Sequence, residues 1–271
     1  MKILLTGRDG QVGFELEKIL AGELLATDRR GLDLSYSDLV RRMVREARPG
    51  VIVNAAAYTA VDQAESEPDL AMEVNGEAPG VLAEEAKRLG ALLVHYSSDY
   101  VFDGEKRDPY VEADPPHPLG AYGKTKLEGE RRIIESGCRH LILRTSWVYG
   151  PRGRNFFLTM RKAAAEGKDL RVVNDQFGAP TSSLAIARAT AQCLEKNLEG
   201  LFHMSAAGRT SWHGFAEAIL GRTVKAISSA EYAAKARRPR NSLLDNAKLR
   251  KAGVALPDWQ AQLEEVRQLL R

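Results

Sequence analysis

The sequence predicts an α/β protein in which a doubly wound parallel sheet carries a smaller, interleaved C-terminal lobe. Two patterns indicate this class: short apolar runs alternate with longer amphipathic segments through the N-terminal half, and the apolar runs lack the polar alternation of half-exposed strands. A chain of 271 residues fits one large domain, or a domain with an appendage.

The N-terminal half reads as strands and helices in strict alternation. In chain order the segments are KILLTG, QVGFELEKILAG, ELLATD, LVRRMVREARPG, VIVNAAAY, APGVLAEEAKRLG and ALLVHYSSD, beginning and ending with a strand. The runs at 51–53 and 92–94 are wholly apolar. Such strands are typical of a parallel sheet covered by helices on both faces.

The second half begins with a loop and then returns to regular elements. Residues 103–120 contain four prolines and no apolar periodicity, and loops of this length are commonly functional. The following segments predict a helix at YGKTK, a strand at HLILRTSWVYG, a helix at NFFLTMRKAAAEG, a strand at LRVVN and a helix over 183–194. We therefore expect a sheet domain over 1–150, to which later segments return, and a smaller interleaved lobe over 151–271.

Composition and charge exclude several classes of partner. Lys and Arg total 39 against 36 Asp and Glu, a net charge of +3 that offers no broad surface for nucleic acid or an acidic membrane. The first apolar run is too short for a signal peptide, and no segment approaches a membrane span. Two cysteines, Cys138 and Cys193, form neither a disulfide framework nor a metal-ligand set. A cytoplasmic protein with no membrane or nucleic-acid partner is expected.

A glycine-rich turn follows the first strand. TGRDGQVG places Gly7, Gly10 and Gly13 where that strand passes into the first helix. Small residues at this point let the backbone approach a pyrophosphate, whose charge meets the N–H groups and dipole of the helix. The turn predicts a dinucleotide bound to a Rossmann-type domain.

The second strand ends in a carboxylate that bears on the choice of dinucleotide. Asp28 lies where a carboxylate accepts hydrogen bonds from the adenosine ribose, which favours NAD(H). Arg29 and Arg30 follow directly, and a guanidinium there could pair with the extra phosphate of NADP(H). The cofactor is thus NADPH or NADH. Asp33 could meet the adenine, or it could be a solvated loop carboxylate.

The glycine spacing, together with the segment NAAAY, resembles the extended short-chain dehydrogenase/reductase superfamily. The resemblance implies that Asn54 braces the central sheet and that the residues after it contact the cofactor. The predicted cofactor-binding residues are Gly7, Gly10, Gln11, Val12, Gly13, Asp28, Arg29, Asp33, Leu34, Ala57, Tyr58, Thr59, Tyr122 and Lys126.

The stretch YGKTK places a phenol and an ammonium one helical turn apart on the same face. The superfamily resemblance implies that this pair works with Ser98, which ends a buried strand at the carboxyl edge of the sheet. Tyr122 would then pass a proton to a carbonyl oxygen, Lys126 would ease proton release by its charge, and Ser98 would hold the carbonyl. Ser98, Tyr122 and Lys126 are the predicted catalytic residues.

Four stretches, SSDYVFDG, YGKTKLEGE, RTSWVYG and NDQFGAPTS, together resemble the dTDP-4-dehydrorhamnose reductase family. The resemblance implies NAD(P)H-dependent reduction of the 4-keto group of dTDP-4-dehydro-L-rhamnose to dTDP-L-rhamnose, the final step of dTDP-rhamnose biosynthesis. It also implies that residues 1–150 bind NAD(P) and that residues 151–271 mainly bind the dTDP-sugar.

Two alternatives stay open. A nucleotide-sugar 4-epimerase shares the three catalytic residues, and a non-catalytic NADP-binding regulatory subunit of the methionine adenosyltransferase type shares the fold. Sugar-nucleotide 4,6-dehydratases carry Asp-Glu after the Ser or Thr, whereas Asp99 here is followed by Tyr100. The missing glutamate argues against a dehydratase.

The resemblance also implies a set of substrate contacts. Trp147 would lie against the deoxysugar, with a core tryptophan as the alternative. Arg238, in a loop late in the chain, would bind the diphosphate, because a guanidinium suits a phosphate by bidentate hydrogen bonding. The predicted substrate-binding residues are Ser98, Asp99, Trp147, Asn155, Gln176 and Arg238, with Arg237 and Arg240 as rivals of the last.

No metal site is predicted, although a homodimer is possible. Glu15 is associated in some relatives with magnesium at a dimer contact, but the carboxylates expected after GAPT are absent. The five histidines show no ligand spacing and are interpreted as structural or solvated.

Overall fold

A computed structural model describes residues 2–270 of the chain. The strands are β1 Lys2–Thr6, β2 Glu23–Thr27, β3 Val51–Asn54, β4 Leu92–Ser98, β5 His140–Thr145, β6 Val148–Tyr149, β7 Arg171–Val173, β8 Phe177–Gly178, β9 Thr181–Ser182, β10 Gly200–His203, β11 Thr210–Ser211 and β12 Lys225–Ile227. The α-helices are α1 Gln11–Ile19, α2 Ser37–Ala47, α3 Val61–Ala64, α4 Pro68–Met72, α5 Ala78–Leu89, α6 Ala121–Ser136, α7 Phe156–Ala165, α8 Ser183–Glu195, α9 Trp212–Leu220, α10 Ser229–Tyr232, α11 Ala247–Lys251 and α12 Trp259–Gln268.

Six parallel strands form the central sheet in the order β10-β5-β4-β3-β1-β2. The chain winds outward in one direction from β1 to β2 and in the other from β3 to β10. The order therefore reverses between β1 and β3, and ligands of doubly wound sheets bind beyond the carboxyl ends of the strands at such a switch point. The predicted fold class is confirmed.

Apolar side chains pack on both faces of this sheet. Ile3 and Leu5 of β1 belong to a cluster with residues of α1 and α8, whereas Leu4 faces the other way into a cluster with residues of α2 and α5. Successive residues of a strand point to opposite faces, so a strand covered on both sides must be apolar throughout. This explains the uninterrupted apolar runs.

The C-terminal part adds a second core beside the sheet. Tyr149, Phe157, Phe215, Trp259 and Leu263 are buried together. Short two-stranded pairings, β6 with β9, β7 with β12 and β8 with β11, lie in the same part of the chain. β10 nevertheless returns to the central sheet, beside β5, so the sheet and the later segments are interleaved.

Residues 61–77 contain elements that the sequence pattern does not reveal. They form α3, α4 and a π-helix over Glu73–Glu77 that runs directly into α5. The predicted helix at 183–194 corresponds to α8, which begins at its predicted residue and ends one residue later. Within residues 2–270, no helix has both the length and the apolar character needed to span a bilayer.

Candidate active site

The glycine turn between β1 and α1 is shaped by close backbone contacts. Gly7 has a left-handed φ of +73°, and a Cβ there would lie 2.6 Å from the backbone nitrogen of Ala56. A Cβ on Gly13 would overlap the carbonyl oxygen of Gly7, so this glycine lets α1 approach the turn. Gly10 is less confined, since its Cβ would lie 3.1 Å from the same oxygen.

A cleft of about 590 Å³ opens beside this turn, at the switch point of the sheet. Every residue predicted to bind the cofactor lines it except Gly13, which packs behind the turn. The lining includes Gly7, Gly10, Gln11, Val12, Asp28, Arg29, Asp33, Leu34, Ala57, Tyr58, Thr59, Tyr122 and Lys126. Residues that were assigned from four separate segments therefore share one cavity.

At one end of the cleft, charged side chains are already paired. The carboxylate of Asp28 accepts a 2.8 Å hydrogen bond from the Gly31 N–H, and this bond is the main cause that lowers the pKa of Asp28. The Arg29 guanidinium lies 3.0 Å from Asp33, which also accepts bonds from Ser35. Of the two carboxylates, Asp33 is therefore paired with a guanidinium, whereas Asp28 has no cationic side chain at hydrogen-bond distance in the described part of the chain.

The opposite end of the cleft holds Tyr122 and Lys126 on α6. A Cβ on Gly123 would overlap the Tyr100 carbonyl oxygen, so glycine brings the first turn of α6 against the end of β4. Lys126 is only 2% exposed, and its Nζ donates to the Tyr96 carbonyl oxygen at 2.6 Å. Burial lowers the pKa of Lys126 to about 8, although the charge of Glu130 acts in the opposite direction.

Ser98 and Asp99 lie at the end of β4, on the other side of Tyr122. Ser98 Oγ donates to Asp99 Oδ1 at 2.9 Å and accepts from the Tyr100 N–H at 3.1 Å. Both side chains are buried, and burial raises the pKa of Asp99 to about 7. Burial also raises the pKa of the Tyr122 phenol to about 12, with a smaller contribution from the Asp99 charge and an opposing one from the nearby Ser98 hydroxyl.

Trp147 sits beyond these residues in a strained conformation. Its φ of +48° is unusual for a bulky residue, its ring stacks on Trp212 at 3.6 Å, and its Nε1 donates to Ser242 Oγ at 3.2 Å. Ser242 Oγ in turn donates to the Phe177 carbonyl oxygen at 3.3 Å. Trp147 is therefore fixed by a ring stack and by one hydroxyl, and strain held in this way is often found at functional sites.

The segment around Arg238 borders a narrow groove beside Tyr122, which Ala236, Arg237 and Pro239 line. Its guanidinium donates to Asp62 Oδ2 at 2.7 Å, and Asp62 Oδ1 accepts from the Ala236 N–H. Glu65 similarly accepts the Ala121 N–H at the start of α6. The late segment around Arg238 is thus joined to α3 by a charge-assisted bond beside Tyr122.

Asn155 and Gln176 make hydrogen bonds within the protein. Asn155 Nδ2 donates to Gln11 Oε1 at 2.8 Å, and its Oδ1 caps α7 by accepting the Leu158 N–H. Gln176 Nε2 donates to Ser229 Oγ at 2.9 Å. Asn155 consequently connects α7 to the glycine turn, and both assignments to substrate stay predictions.

Asn75 and His95 are buried polar residues that the sequence did not indicate as part of the site. Both contact residues that line the cleft. Asn75, in the π-helix, bonds both the N–H and the carbonyl oxygen of Tyr58 and also contacts Thr125 Oγ1 on α6. His95 Nε2 lies 3.3 Å from Lys126 Nζ. Neither residue had a signal in the sequence: π turns are frequent at functional sites, but the apolar pattern does not reveal this one, and an isolated histidine in a strand indicates no site.

A parallel sheet of this order, a glycine turn at its switch point and a Ser-Tyr-Lys set beside the same cleft define a Rossmann-fold oxidoreductase of the extended short-chain dehydrogenase/reductase class. The family model described as RmlD substrate binding domain matches residues 1–271. The chain belongs to the dTDP-4-dehydrorhamnose reductase family, and the predicted resemblance is confirmed.

Individual relatives cover almost the whole chain. A dTDP-4-dehydrorhamnose reductase of Burkholderia thailandensis is 47% identical over 96% of this chain and 95% of its own length. A crystal structure of the Clostridium acetobutylicum reductase superimposes with a TM-score of 0.96 at 39% identity, covering 100% of this chain and 99% of that one. The Bacillus anthracis reductase, solved in complex with NADP, has a TM-score of 0.94 at 35% identity and covers 98% of each chain.

Proposed function

We propose that the protein reduces the 4-keto group of dTDP-4-dehydro-L-rhamnose with NADPH or NADH, giving dTDP-L-rhamnose. The relatives described above carry the name of this activity, and they match the chain from end to end. The dinucleotide, when bound, supplies the hydride. The residues of the chain supply binding, orientation and the proton.

The observation that carries the proposal is the convergence of Ser98, Tyr122 and Lys126 at the carboxyl edge of the sheet. Tyr122 and Lys126 line the cleft of the glycine turn, and the Ser98 hydroxyl acts on the phenol from the end of β4. In this arrangement Tyr122 donates its proton to the 4-oxygen of the sugar while Ser98 holds that oxygen. The Lys126 ammonium favours loss of the phenolic proton by its charge.

The cleft fits a dinucleotide on structural grounds. Its floor at Gly10 has no side chain, and Gln11 and Val12 at the start of α1 line the same cleft, where a helix N-terminus suits a pyrophosphate. We propose that Asp28 accepts bonds from the adenosine ribose. With Arg29 engaged by Asp33 at 3.0 Å, a ribose 2′-phosphate would have to compete for that guanidinium.

The remaining assignments concern the sugar nucleotide. We propose that residues 1–150, with the returning segments, hold the dinucleotide and that residues 151–271 mainly hold the dTDP-sugar. Arg238 would exchange its bond with Asp62 for the diphosphate, and Trp147 would face the deoxysugar. A homodimer and the lack of nucleic-acid partners stay predictions from the sequence.

A direct assay separates this function from its alternatives. The purified protein is mixed with NADPH or NADH and enzymatically prepared dTDP-4-dehydro-L-rhamnose, and loss of the reduced-cofactor absorbance is followed. A reductase consumes cofactor and sugar in equal amounts. An epimerase would interconvert sugars without net oxidation, and a regulatory subunit would bind cofactor without turnover; either result would refute the proposal.

A further inference from the structure

Behind Lys126, a chain of buried polar side chains crosses the centre of the sheet. It consists of Thr6, Asn54, His95 and Lys126, contributed by β1, β3, β4 and α6, and none of them is more than 2% exposed. Thr6 pairs with Asn54, and Asn54 with His95, in the register of the sheet. The positions of these groups are therefore set by the backbone, and we refer to them as the polar chain.

Short contacts connect the polar chain from end to end. Thr6 Oγ1 lies 2.7 Å from Asn54 Oδ1, Asn54 Nδ2 lies 3.1 Å from His95 Nδ1, and His95 Nε2 lies 3.3 Å from Lys126 Nζ. Burial, with a further contribution from the Lys126 charge, lowers the pKa of His95 well below its usual value. The imidazole is therefore neutral, with one N–H and one lone pair.

The charge on Lys126 decides which nitrogen of His95 can carry the hydrogen. An ammonium only donates, so His95 Nε2 must accept and Nδ1 must carry the hydrogen, which requires Asn54 to turn Oδ1 toward it. A neutral amine has a lone pair, so Nε2–H can donate to it while Nδ1 accepts from Asn54 Nδ2. The amide orientation in the structure corresponds to this second arrangement.

We propose that His95 is a positioning residue whose tautomer follows the charge of Lys126, with the Asn54 amide turning to match. Lys126 then keeps its contact with His95 in both charge states, beside the bond that Nζ donates to the Tyr96 carbonyl oxygen. The Thr6 hydroxyl completes both arrangements, because a hydroxyl can donate to Asn54 Oδ1 in one and accept from Asn54 Nδ2 in the other.

Other charged groups around Lys126 do not replace this partner. Glu130, one turn further along α6, attracts the ammonium, but its carboxylate is bound on both oxygens by Arg144 of β5. Tyr122 lines the same cleft as Lys126, and the Asp99 charge acts on Tyr122. Within the described chain, His95 is the titratable side chain with a hydrogen-bonding contact to Lys126 Nζ.

The consequence for turnover rests on the reductase function proposed above. Once Tyr122 has given its proton to the sugar oxygen, the phenolate recovers a proton from the Lys126 ammonium, and the resulting amine recovers one from water. Lys126 passes through its neutral form in each cycle. A partner that can both accept and donate keeps the side chain in place throughout.

Nitrogen-15 NMR of the histidine rings tests the proposal without any substrate. At about pH 6, where Lys126 is an ammonium, His95 is expected to be the Nδ1–H tautomer, and it should convert toward Nε2–H in step with the Lys126 Cε resonance. His203 is the internal control, because its Nδ1 faces the Tyr110 carbonyl oxygen at 3.0 Å and must keep its hydrogen. His95→Gln identifies the signal.

Three results would overturn the coupling: an Nε2–H tautomer at about pH 6, one tautomer through a complete titration of Lys126, or a conversion that persists in Lys126→Met.

Kinetic measurements on His95 variants then test the consequence of the coupling for turnover. His95→Leu should lower kcat about tenfold, and its activity should begin to fall at a lower pH than that of the wild type. His95→Gln has an amide that can accept or donate, so its kcat and the pH at which its activity falls should both be close to the wild-type values. Equal profiles for the two variants would contradict the positioning role. A wild-type protein that fails to reduce the sugar refutes the function and leaves the NMR result standing.

Discussion

Among single residues, Lys126 sets a pH limit that can be measured. Burial lowers its pKa from 10.5 to about 8, so the ammonium is present below this pH and is lost as the pH rises through it. The Tyr122 phenol, with a pKa raised to about 12 chiefly by burial, stays protonated over that range. We expect kcat for reduction to fall as the pH rises through about 8.

The matched control for this limit is Lys126→Met. It should be slower by about 10²–10⁴-fold at neutral pH and should show no inflection in the region where the wild type declines. A wild-type profile that stays flat well beyond the expected decline would mean that the Lys126 charge does not govern turnover.

Asp28 is the residue that bears on cofactor choice. Its carboxylate lines the cleft and, within residues 2–270, has no cationic side chain at hydrogen-bond distance, so Asp28→Ala should weaken NADH binding about tenfold and NADPH binding less, because only NADH presents both ribose hydroxyls. Equilibrium titration with each dinucleotide measures this. Asp38→Ala, which changes an exposed carboxylate on α2, is the control. Equal losses for both dinucleotides at Asp28 would indicate a structural role.

At the scale of elements, substitutions in the turn between β1 and α1 distinguish glycines needed for packing from those needed for cofactor binding. Gly13→Ala places a methyl group against the Gly7 carbonyl and should lower the free energy of unfolding by about 1–3 kcal/mol. Gly10 lines the cleft with φ −69°, which any residue can adopt, and its Cβ would lie 3.1 Å from the Gly7 carbonyl oxygen, so Gly10→Val should cost less stability than Gly13→Ala and should weaken NADH and NADPH alike. Urea unfolding and dinucleotide titration distinguish them; a Gly10→Val protein with unchanged affinity for both would exclude the pyrophosphate site.

Helix α6, which carries Tyr122 and Lys126, is fixed to β5 by a buried ion pair. Arg144 and Glu130 are each at most 3% exposed and are bonded through two N–H groups, so Glu130→Ala leaves a buried guanidinium unpaired. We expect a loss of about 3–5 kcal/mol in the free energy of unfolding. Glu135→Ala breaks the exposed pair with Arg131 on the same helix and should cost less than about 1 kcal/mol. Similar losses in urea denaturation would contradict this difference.

Helices and strands were predictable wherever the apolar residues of a segment repeat at one regular spacing. α8 begins at the predicted Ser183 because Ser182 caps it and its apolar residues repeat at helical spacing. Residues 61–77 gave no such signal, since α3 and α4 are short and the π-helix interrupts the period. Tertiary contacts, such as Asn75 with Tyr58, hold that region in place.

Across the whole molecule, the cleft was predictable and its supporting contacts were not. The glycine turn, Asp28, Ser98 and the Tyr-Lys pair each follow a strand or open a helix, and the carboxyl edge of a parallel sheet brings such residues together. His95 and Lys126, or Trp147 and Trp212, are far apart in sequence and meet only through the packing of separate elements. No local spacing in the sequence predicts such pairs.

The proposed reduction depends above all on proton donation by Tyr122 at the cleft between the sheet and the later segments. The direct measurement is single-turnover reduction of dTDP-4-dehydro-L-rhamnose by Tyr122→Phe, with dinucleotide affinity and thermal unfolding measured on the same preparation. The ring and its packing persist in this variant, whereas the transferable proton is lost, so the rate should fall about 10²–10⁴-fold while affinity and stability stay at wild-type values. Near-normal reduction by Tyr122→Phe would contradict the account.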